Sequence, residues 1–384
     1  MNPKFTIIFP VAQNVHLIKD VGQIANALAE HHGFDSTLVC YKNSEEYTHL
    51  KTEANHLKLD FISPKGKFLF LEKAVLKYLQ RNAKQIDVLH LFHLTKETIY
   101  YALYFALLNK KGKIYVKMDV YNETLKQDVI YSKKPIFQWT HKKAEKLFFK
   151  KITVISAENP TSLTLLKQKF PILQHKAILV TNAVNSSFLK TNFPSNNSFE
   201  EKENIILSVG RIGAADKNYE MLFNAFVLAK LTGWKLILVG PIEAAFQEKV
   251  NQLFIENPTL KTQIELVGNV EDRISLYNYY NRSKLFCLSS PQESFGIAFV
   301  EAMYFGNYIL GTTGMSSFEY ITDNFKHGKW VNPEETNKLT ELLREITTNQ
   351  LLIENNRLQA HHRVVDYFCW EKAINSLLER IYKK

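Results

Sequence analysis

Short apolar runs alternate with amphipathic stretches along almost the whole of this 384-residue chain. In the first half, the runs that read as buried strands are 5–10, 36–41, 88–92, 113–118, 152–156 and 177–181. Helical periodicity appears between several of them, for example at 21–31, 68–83 and 96–109. Strand and helix in repetition predict a parallel sheet with helices on both faces.

The alternation breaks over residues 191–204, which are rich in Asn, Ser, Pro and charge and have the composition of a linker. It then restarts, with strand patterns at 205–210, 235–240, 264–268, 285–289 and 308–311. A chain of this length suits two domains of roughly 150 to 200 residues. The sequence therefore predicts an α/β protein with two Rossmann-like, doubly wound domains that face one another across a cleft. We place these domains at 1–190 and 205–365, and an amphipathic helix at the C-terminus.

Composition narrows the possible cellular settings and partners. Three cysteines without paired spacing argue against a disulfide framework or a zinc site and favour a reducing cytosol. The N-terminus has no signal-peptide pattern, and the most apolar helical stretch, 98–108, is shorter than the ~20 residues that cross a bilayer. The net charge of +10 suits nucleic acid, an anionic membrane, anionic substrates or solubility alone. No nucleic-acid-binding motif is present, so we expect a cytoplasmic protein, soluble or peripheral, without a nucleic-acid partner.

The segment 289–303 follows a predicted strand and opens a predicted helix. Ser294 suits the helix N-cap, and Gly296 lets the backbone approach a ligand closely. A helix N-terminus favours anions and would suit a diphosphate. Glu293 precedes the helix and Glu301 lies within it, and a carboxylate can accept two hydroxyls of a ribose or a sugar. The alternative is a capped surface helix with two incidental glutamates.

The segment 208–222 has the same order of strand, glycine-containing loop and helix. Gly210 and Gly213 are too few for a dinucleotide fingerprint, and the chain has no Walker lysine pattern. The loop instead offers Arg211 and Lys217, which can bind phosphate oxygens as a fork and as a point charge, respectively. An arginine and a lysine near the start of a surface helix are common and predict little alone. Together with the Glu293 segment in the same sheet, they predict a second phosphate-binding loop.

Together these residues resemble the retaining GT-B glycosyltransferases of family four, the glycosyl transferases group 1. The resemblance rests on Val-Gly-Arg at 209–211, Lys217-Asn218, Leu-Val-Gly at 238–240, Val-Gly-Asn at 267–269 and Glu-x7-Glu at 293–301. It covers 204–335 well, and the first half and the C-terminal helix more loosely. The helix, placed at 366–384, is expected to cross back onto the first domain.

The resemblance also assigns roles to individual residues. Arg211 and Lys217, with Gly210 in the same loop, would hold the donor diphosphate, and Glu301 would bind the ribose. The nucleotide base would rest near Val267 and Asn269. The transferred sugar and the phosphates would contact Glu293, Ser294, Phe295, Gly296 and Ile297.

The first domain departs from the family pattern in two places. Residues 10–14 lack the glycine-rich loop of many relatives, and no histidine follows the strand 113–118. Asp119 is the best polar group there to take the acceptor proton, with Lys117 next, although a strand-end aspartate is at least as often a cap. His90 and His93 are rivals, and a buried strand histidine is more commonly a core residue.

No Asp-x-Asp pair occurs in the chain, so we predict that phosphate binding needs no metal or other cofactor. Arg211, Lys217 and the helix N-terminus would supply the positive charge, with Glu293 and Asp119 completing the catalytic set. The resemblance implies retention of configuration. The donor would be a UDP- or GDP-sugar.

The acceptor side is read from two basic stretches, 65–79 and 133–149, which mix lysine with large apolar residues. Such stretches suit either an anionic bilayer surface or the Lys-rich solvent face of an ordinary helix. The leading hypothesis is transfer to a glycan or lipid-linked acceptor in bacterial surface polysaccharide synthesis, with association at the inner membrane surface. The alternatives are a transferase for protein or small metabolites, and a catalytically silent nucleotide-binding scaffold.

Overall fold

The structure, a computed structural model, describes residues 2–127, 131 and 133–382. The chain divides into two compact units. Unit 1 comprises Met1–Phe188 and Cys369–Lys384, and unit 2 comprises Leu189–Phe368. Each unit is built on one parallel sheet, which confirms the predicted α/β class with two Rossmann-like domains.

Unit 1 contains a seven-stranded parallel sheet in the order β3-β2-β1-β6-β7-β8-β9. Its strands are β1 (Lys4–Ile8), β2 (Asp35–Cys40), β3 (Lys58–Phe61), β6 (Val88–Phe92), β7 (Lys113–Lys117), β8 (Val154–Ala157) and β9 (Ala177–Leu179). A separate antiparallel hairpin is formed by β4 (Lys67–Phe68) and β5 (Leu71–Glu72). The order reverses between β1 and β6, which is where ligands bind in doubly wound sheets.

Helices cover both faces of this sheet, because its strands are apolar on both sides. One face packs against α1 (Asp20–His32), α15 (Trp370–Ala373) and α16 (Asn375–Tyr382). The other packs against α2 (Lys73–Asn82), α3 (Lys96–Leu108), α5 (Pro135–Lys151) and α6 (Pro160–Lys169). The short helix α4 (Asn122–Lys126) follows β7, and α7 (Ser186–Asn192) spans the boundary between the units.

Unit 2 contains a six-stranded parallel sheet in the order β12-β11-β10-β13-β14-β15. Its strands are β10 (Glu203–Val209), β11 (Lys235–Val239), β12 (Ile264–Gly268), β13 (Ser283–Cys287), β14 (Tyr308–Thr312) and β15 (Gly328–Val331). Its helices are α8 (Tyr219–Ala229), α9 (Ala244–Glu256), α10 (Arg273–Arg282), α11 (Ile297–Tyr304), α12 (Phe318–Ile321), α13 (Thr336–Thr348) and α14 (Gln350–Tyr367). In sequence order this is the 3-2-1-4-5-6 Rossmann arrangement, which reverses between β10 and β13.

Two predicted helices differ from the structure. The helix predicted over 68–83 begins only at Lys73, because Leu69 adopts a left-handed φ of 57° and turns the chain into the β4–β5 hairpin. The C-terminal helix is interrupted at Ile374 and forms α15 and α16. Among the described residues, no helix has both the length and the apolarity that a membrane crossing requires.

Candidate functional site

The reversal point of the unit 2 sheet brings together two residues that are 76 positions apart. The Lys217 ammonium, after β10, forms an ion pair with the Glu293 carboxylate, after β13. Ser290 Oγ also donates to Glu293 Oε1, at 3.0 Å. The two side chains are only 21% and 16% exposed, so the pair is partly desolvated and stronger than a surface pair. Both residues were predicted from sequence to contact the donor.

The loops that carry this pair are held closely together. Ser289 Oγ donates to the carbonyl of Asn218, at 2.8 Å, and therefore ties one loop to the other. Gly240 has a φ of 139°, and a Cβ there would collide with the carbonyl oxygen of Gly210. The Ser289 bond therefore links the loop of Lys217 to that of Glu293, and the Gly210–Gly240 contact holds the loop after β10 against the loop after β11.

The helix after Glu293 begins later than predicted. Its N-cap is Gly296 with a φ of 80°, so the prediction that Ser294 caps the helix is wrong. Glycine adopts this left-handed conformation without steric cost, and the Ser294 carbonyl instead accepts from Ser317 Oγ at 3.0 Å. Phe295 is buried in the core, whereas Ile297 opens the helix α11. The first N–H groups of a helix have no partners within it, so this N-terminus can accept an anion.

Arg211 is placed differently from Lys217. Its guanidinium is 61% exposed and pairs with Asp216 in the same loop, at 2.6 Å. An exposed pair of this kind is worth at most about 1 kcal/mol, so Arg211 can exchange Asp216 for a phosphate at little cost. Gly210 lies directly before it, at the carboxyl end of β10.

Glu301 is the acceptor of a buried hydrogen-bond network. Its Oε1 accepts from Arg273 at 2.6 Å and from Tyr277 at 3.3 Å, and its Oε2 accepts from Tyr280 at 3.0 Å. Burial and the neighbouring Glu301 raise the pKa of Tyr280 well above its usual value of 10.0. A carboxylate has about four lone pairs, so these partners leave room for one further donor, such as a ribose hydroxyl.

The sequence did not single out Arg273, Tyr277 and Tyr280. All three lie on α10, and their i, i+4, i+7 spacing places them on one face of that helix. This spacing is visible in the sequence and indicates that the three side chains share one face of a helix. That this face contacts Glu301 is apparent only in the structure, where α10 packs beside α11.

Val267 and Asn269 lie at the end of β12, the outermost strand on that side of the unit 2 sheet. Val267 is half-buried, and Asn269 is exposed, with its amide 3.4 Å from Glu271 Oε1. Because the strands are parallel, the loops after β12, β10 and β13 share one edge of the sheet. A base near Val267 and Asn269 therefore remains a prediction, compatible with this edge.

Asp119 lies at the rim of a buried cluster in unit 1. Carboxylate oxygens of Asp20, Asp119 and Glu158 lie within 4.8 Å of one another. The fully buried Lys117 ammonium lies 3.3 Å from Glu158 and 3.8 Å from Asp20. Asp119 also hydrogen-bonds Glu158, and the cap of the following helix is Tyr121. Asp119 therefore does not cap α4, and the cation of this cluster is Lys117.

The charges of the cluster do not balance, since one ammonium faces three carboxylates. Burial opposes the charge of Lys117, but Glu158 and Asp20 outweigh it and raise the pKa of Lys117 to about 12. Burial raises the pKa of Glu158 well above its ordinary 4.5 and also raises the pKa of Asp20. Glu158 therefore holds a proton more tightly than an exposed glutamate does, and it hydrogen-bonds Asp119.

His90 is a core residue rather than a catalytic one. It is fully buried, its ring stacks on Tyr115 with centroids 4.3 Å apart, and neither ring nitrogen has a hydrogen-bond partner among the described residues. Burial, with Lys117 nearby, lowers the pKa of His90 well below 6.5, so the ring is neutral. His93 is different. It is half-buried, adopts a left-handed φ of 58° at the end of β6, and is close enough to Asp20 to affect its titration.

The raised pKa of Glu158 has a consequence for stability. Above pH 4.5 the unfolded chain loses the Glu158 proton, which the folded chain holds more tightly, so the contribution of this group to stability is greatest below this pH. It then declines by up to about 1.4 kcal/mol per pH unit as the pH rises through the folded pKa. We expect Glu158→Gln to flatten this decline in urea unfolding measured between pH 5 and 8. Glu123→Gln, which alters an exposed pair with Lys126, should keep the wild-type pH dependence.

Comparison with known proteins identifies the class. Residues 190–363 match the family of glycosyl transferases group 1. The protein HepE from Anabaena, solved in complex with UDP, superposes with a TM-score of 0.68 at 15% identity over 99% of each chain. The fold is that of the GT-B glycosyltransferases, which confirms the resemblance predicted from the sequence. The segment 190–363 is therefore a group 1 glycosyltransferase domain.

Two curated proteins are related over most of the chain. An uncharacterized 41.2 kDa protein in the cps region of Klebsiella pneumoniae is 27% identical over 330 residues, which are 84% of this chain and 86% of that protein. An N-acetylgalactosamine-N,N'-diacetylbacillosaminyl-diphospho-undecaprenol 4-alpha-N-acetylgalactosaminyltransferase from Campylobacter jejuni is 23% identical over 290 residues. These cover 76% of this chain and 75% of that enzyme.

Proposed function

We propose that this chain is a retaining, metal-independent glycosyltransferase that moves a sugar from a UDP- or GDP-sugar to a glycan or lipid-linked acceptor. The observation that carries the proposal is the partly buried Lys217–Glu293 pair beside the N-terminus of α11, at the reversal point of a Rossmann sheet. Open α/β sheets bind their ligands at this point.

The pair gives each part of the donor a partner. A diphosphate competes with Glu293 for the Lys217 ammonium, and the α11 N-terminus adds its own positive end. Glu293, once released from Lys217, can accept hydroxyls of the transferred sugar. Arg211 adds a second cation when it leaves Asp216.

The reaction breaks the bond between the anomeric carbon and the diphosphate oxygen and forms a bond to the acceptor oxygen. The electron pair of the broken bond leaves with the nucleoside diphosphate, where Lys217 and the helix N-terminus stabilise the developing charge. The acceptor hydroxyl gives its proton to Asp119. These fixed charges take the place of a metal ion, so turnover should persist in excess EDTA.

Retention of configuration comes from the resemblance to group 1 enzymes. It requires attack on the face from which the nucleotide leaves, and it needs no covalent intermediate on the protein. The products would carry the same anomeric configuration as the donor.

The relatives support the choice of donor and acceptor. HepE is a UDP complex, and the name of the Campylobacter jejuni relative specifies transfer to a sugar on diphospho-undecaprenol. The Klebsiella pneumoniae relative is described as lying in the cps region. We infer a role in bacterial surface polysaccharide synthesis, with the reaction on the cytoplasmic side.

A screen of UDP-, GDP- and ADP-sugars tests the proposal by thermal shift and by release of the nucleoside diphosphate. We expect stabilisation and slow hydrolysis with one base, with or without EDTA. Stabilisation without any release or transfer would indicate a silent nucleotide-binding scaffold. Absence of any effect from all donors would reject the transferase.

Asp119→Asn tests the acceptor side. The amide keeps the shape of Asp119 but cannot accept the acceptor proton, so we expect turnover to fall by about 100-fold. Donor affinity should be unchanged. His93→Gln is the matched variant, because His93 is a half-buried candidate base that also lies near Asp20. A large loss for His93→Gln with normal turnover for Asp119→Asn would transfer the role of base to His93.

A further inference from the structure

Five large apolar side chains are exposed on two neighbouring segments of unit 1. At the tip of the β4–β5 hairpin, Phe68 is 59% exposed and Leu69 is 80% exposed. At the start of α5, Ile136, Phe137 and Trp139 are 69%, 50% and 58% exposed. We call these five residues the apolar surface.

The two segments are packed against each other through Phe70. Its ring lies 5.2 Å from that of Tyr100 on α3 and 5.8 Å from that of His141 on α5. His141 is buried, and its Nδ1 lies 3.0 Å from the Tyr100 hydroxyl. Phe137 is one helical turn before His141 on the same side of α5, so it lies toward the hairpin. Ile136 and Trp139 lie on the other side of the same first turn, which is exposed on both sides.

The hairpin presents Leu69 to solvent at a cost in backbone strain. Leu69 has a φ of 57°, a left-handed conformation that residues other than glycine and asparagine rarely adopt. The side chain of Leu69 is 80% exposed, so it gains little burial within the chain to offset this backbone strain. A strained, exposed leucine at a protruding tip is typical of a side chain that is buried only in a complex.

Positive charge surrounds the apolar surface. Residues 65–72 and 133–151 contain nine lysines and two glutamates. Both glutamates are already engaged: Glu72 lies 3.4 Å from Lys67, and Glu145 is buried against Tyr131 at 2.5 Å. Lys143 lies over the Trp139 ring, 3.6 Å from its centroid. The lysines around the apolar surface therefore give its border a net positive charge.

We propose that the apolar surface docks unit 1 on an anionic phospholipid bilayer. Tryptophan and lysine together suit the boundary between acyl chains and headgroups, where the ring is buried and the ammonium stays in water. Lysines attract an anionic leaflet without specific pairing. A nucleic acid would match the lysines but not Leu69 or Ile136. The purpose of this docking, access to a lipid-linked acceptor, rests on the proposed function.

Sedimentation of the full chain with vesicles tests the inference. Vesicles of phosphatidylethanolamine with about one quarter phosphatidylglycerol should bind the protein, and phosphatidylcholine vesicles should not. The double variant Leu69→Asn, Trp139→Gln should bind about tenfold less, because both changes remove apolar area without changing charge. Asparagine also tolerates the left-handed backbone at position 69.

The matched control is Ile255→Gln on α9 of unit 2, because Ile255 is also 80% exposed. It should bind vesicles within about twofold of wild type. Equal binding to both vesicle types, absence of binding, or an equal loss in the control would overturn the inference. Stabilisation by UDP is measured on the same proteins. Normal vesicle binding without any nucleotide effect would reject the proposed function and leave the membrane surface standing.

Discussion

Lys217→Ala should lower the turnover of the nucleotide-sugar by about 100- to 1000-fold at saturating donor. Lys217 supplies a partly buried positive charge at the reversal point of the unit 2 sheet, at 21% exposure. Its removal leaves the Glu293 carboxylate with Ser290 as its side-chain hydrogen-bond partner among the described residues. The developing charge on the leaving diphosphate would then meet a carboxylate instead of an ammonium. The measurement is the rate of nucleoside diphosphate release with the preferred donor.

Two further variants serve as controls for this prediction. Lys249→Ala removes an exposed pair with Glu220, at 2.9 Å, and should leave turnover within about twofold, since such pairs contribute little. Lys217→Arg keeps the charge but alters its position, and should restore part of the lost rate. Normal turnover in Lys217→Ala, with the protein folded, would remove the lysine from the catalytic machinery.

Glu301→Ala should reduce the free energy of unfolding by about 3–5 kcal/mol. The Glu301 carboxylate is buried, and its loss removes the ion pair that it forms with the Arg273 guanidinium, which is only 12% exposed. It also removes the acceptor of the Tyr280 hydroxyl. Urea unfolding followed by fluorescence measures the change. Nucleotide affinity should fall as well, because the same carboxylate is proposed to accept the ribose hydroxyl.

The matched control is Glu203→Ala, which breaks an ion pair with Arg282 of similar length, 2.6 Å, but with both side chains 45% exposed. This variant should lose no more than about 1 kcal/mol. Similar losses for the two variants would show that burial of the Glu301 network adds nothing to stability.

Much of the fold follows from local pattern, for a clear physical reason. Strands buried on both faces read as short apolar runs, so the inner strands of both sheets were predictable from sequence. The edge strands β3 and β15 were missed, because they are less buried and lack such a run. Lys217 and Glu293 could be expected to converge because each follows a parallel strand, and such strands end at one edge. Their direct ion pair adds a contact that spacing alone does not specify.

Features that depend on tertiary contact were not predictable in the same way. Lys117, Asp20 and Glu158 come from three separate elements, and their common burial appears only when the sheet is assembled. The hairpin at 67–72 was mistaken for helix because its apolar residues also fit a helical period. Ser294 has a favourable N-cap side chain, yet the backbone geometry at Gly296 decided where α11 begins.

Binding of UDP and GDP to wild-type protein and to Lys217→Ala, measured by calorimetry in EDTA, tests the donor site most directly. We predict that one nucleotide binds wild type without metal and that Lys217→Ala weakens its affinity by about tenfold or more. Lys249→Ala should bind as wild type does. Equal affinity in wild type and Lys217→Ala, or no binding of either nucleotide to wild type, would contradict the assignment of the donor site to Lys217 and Glu293.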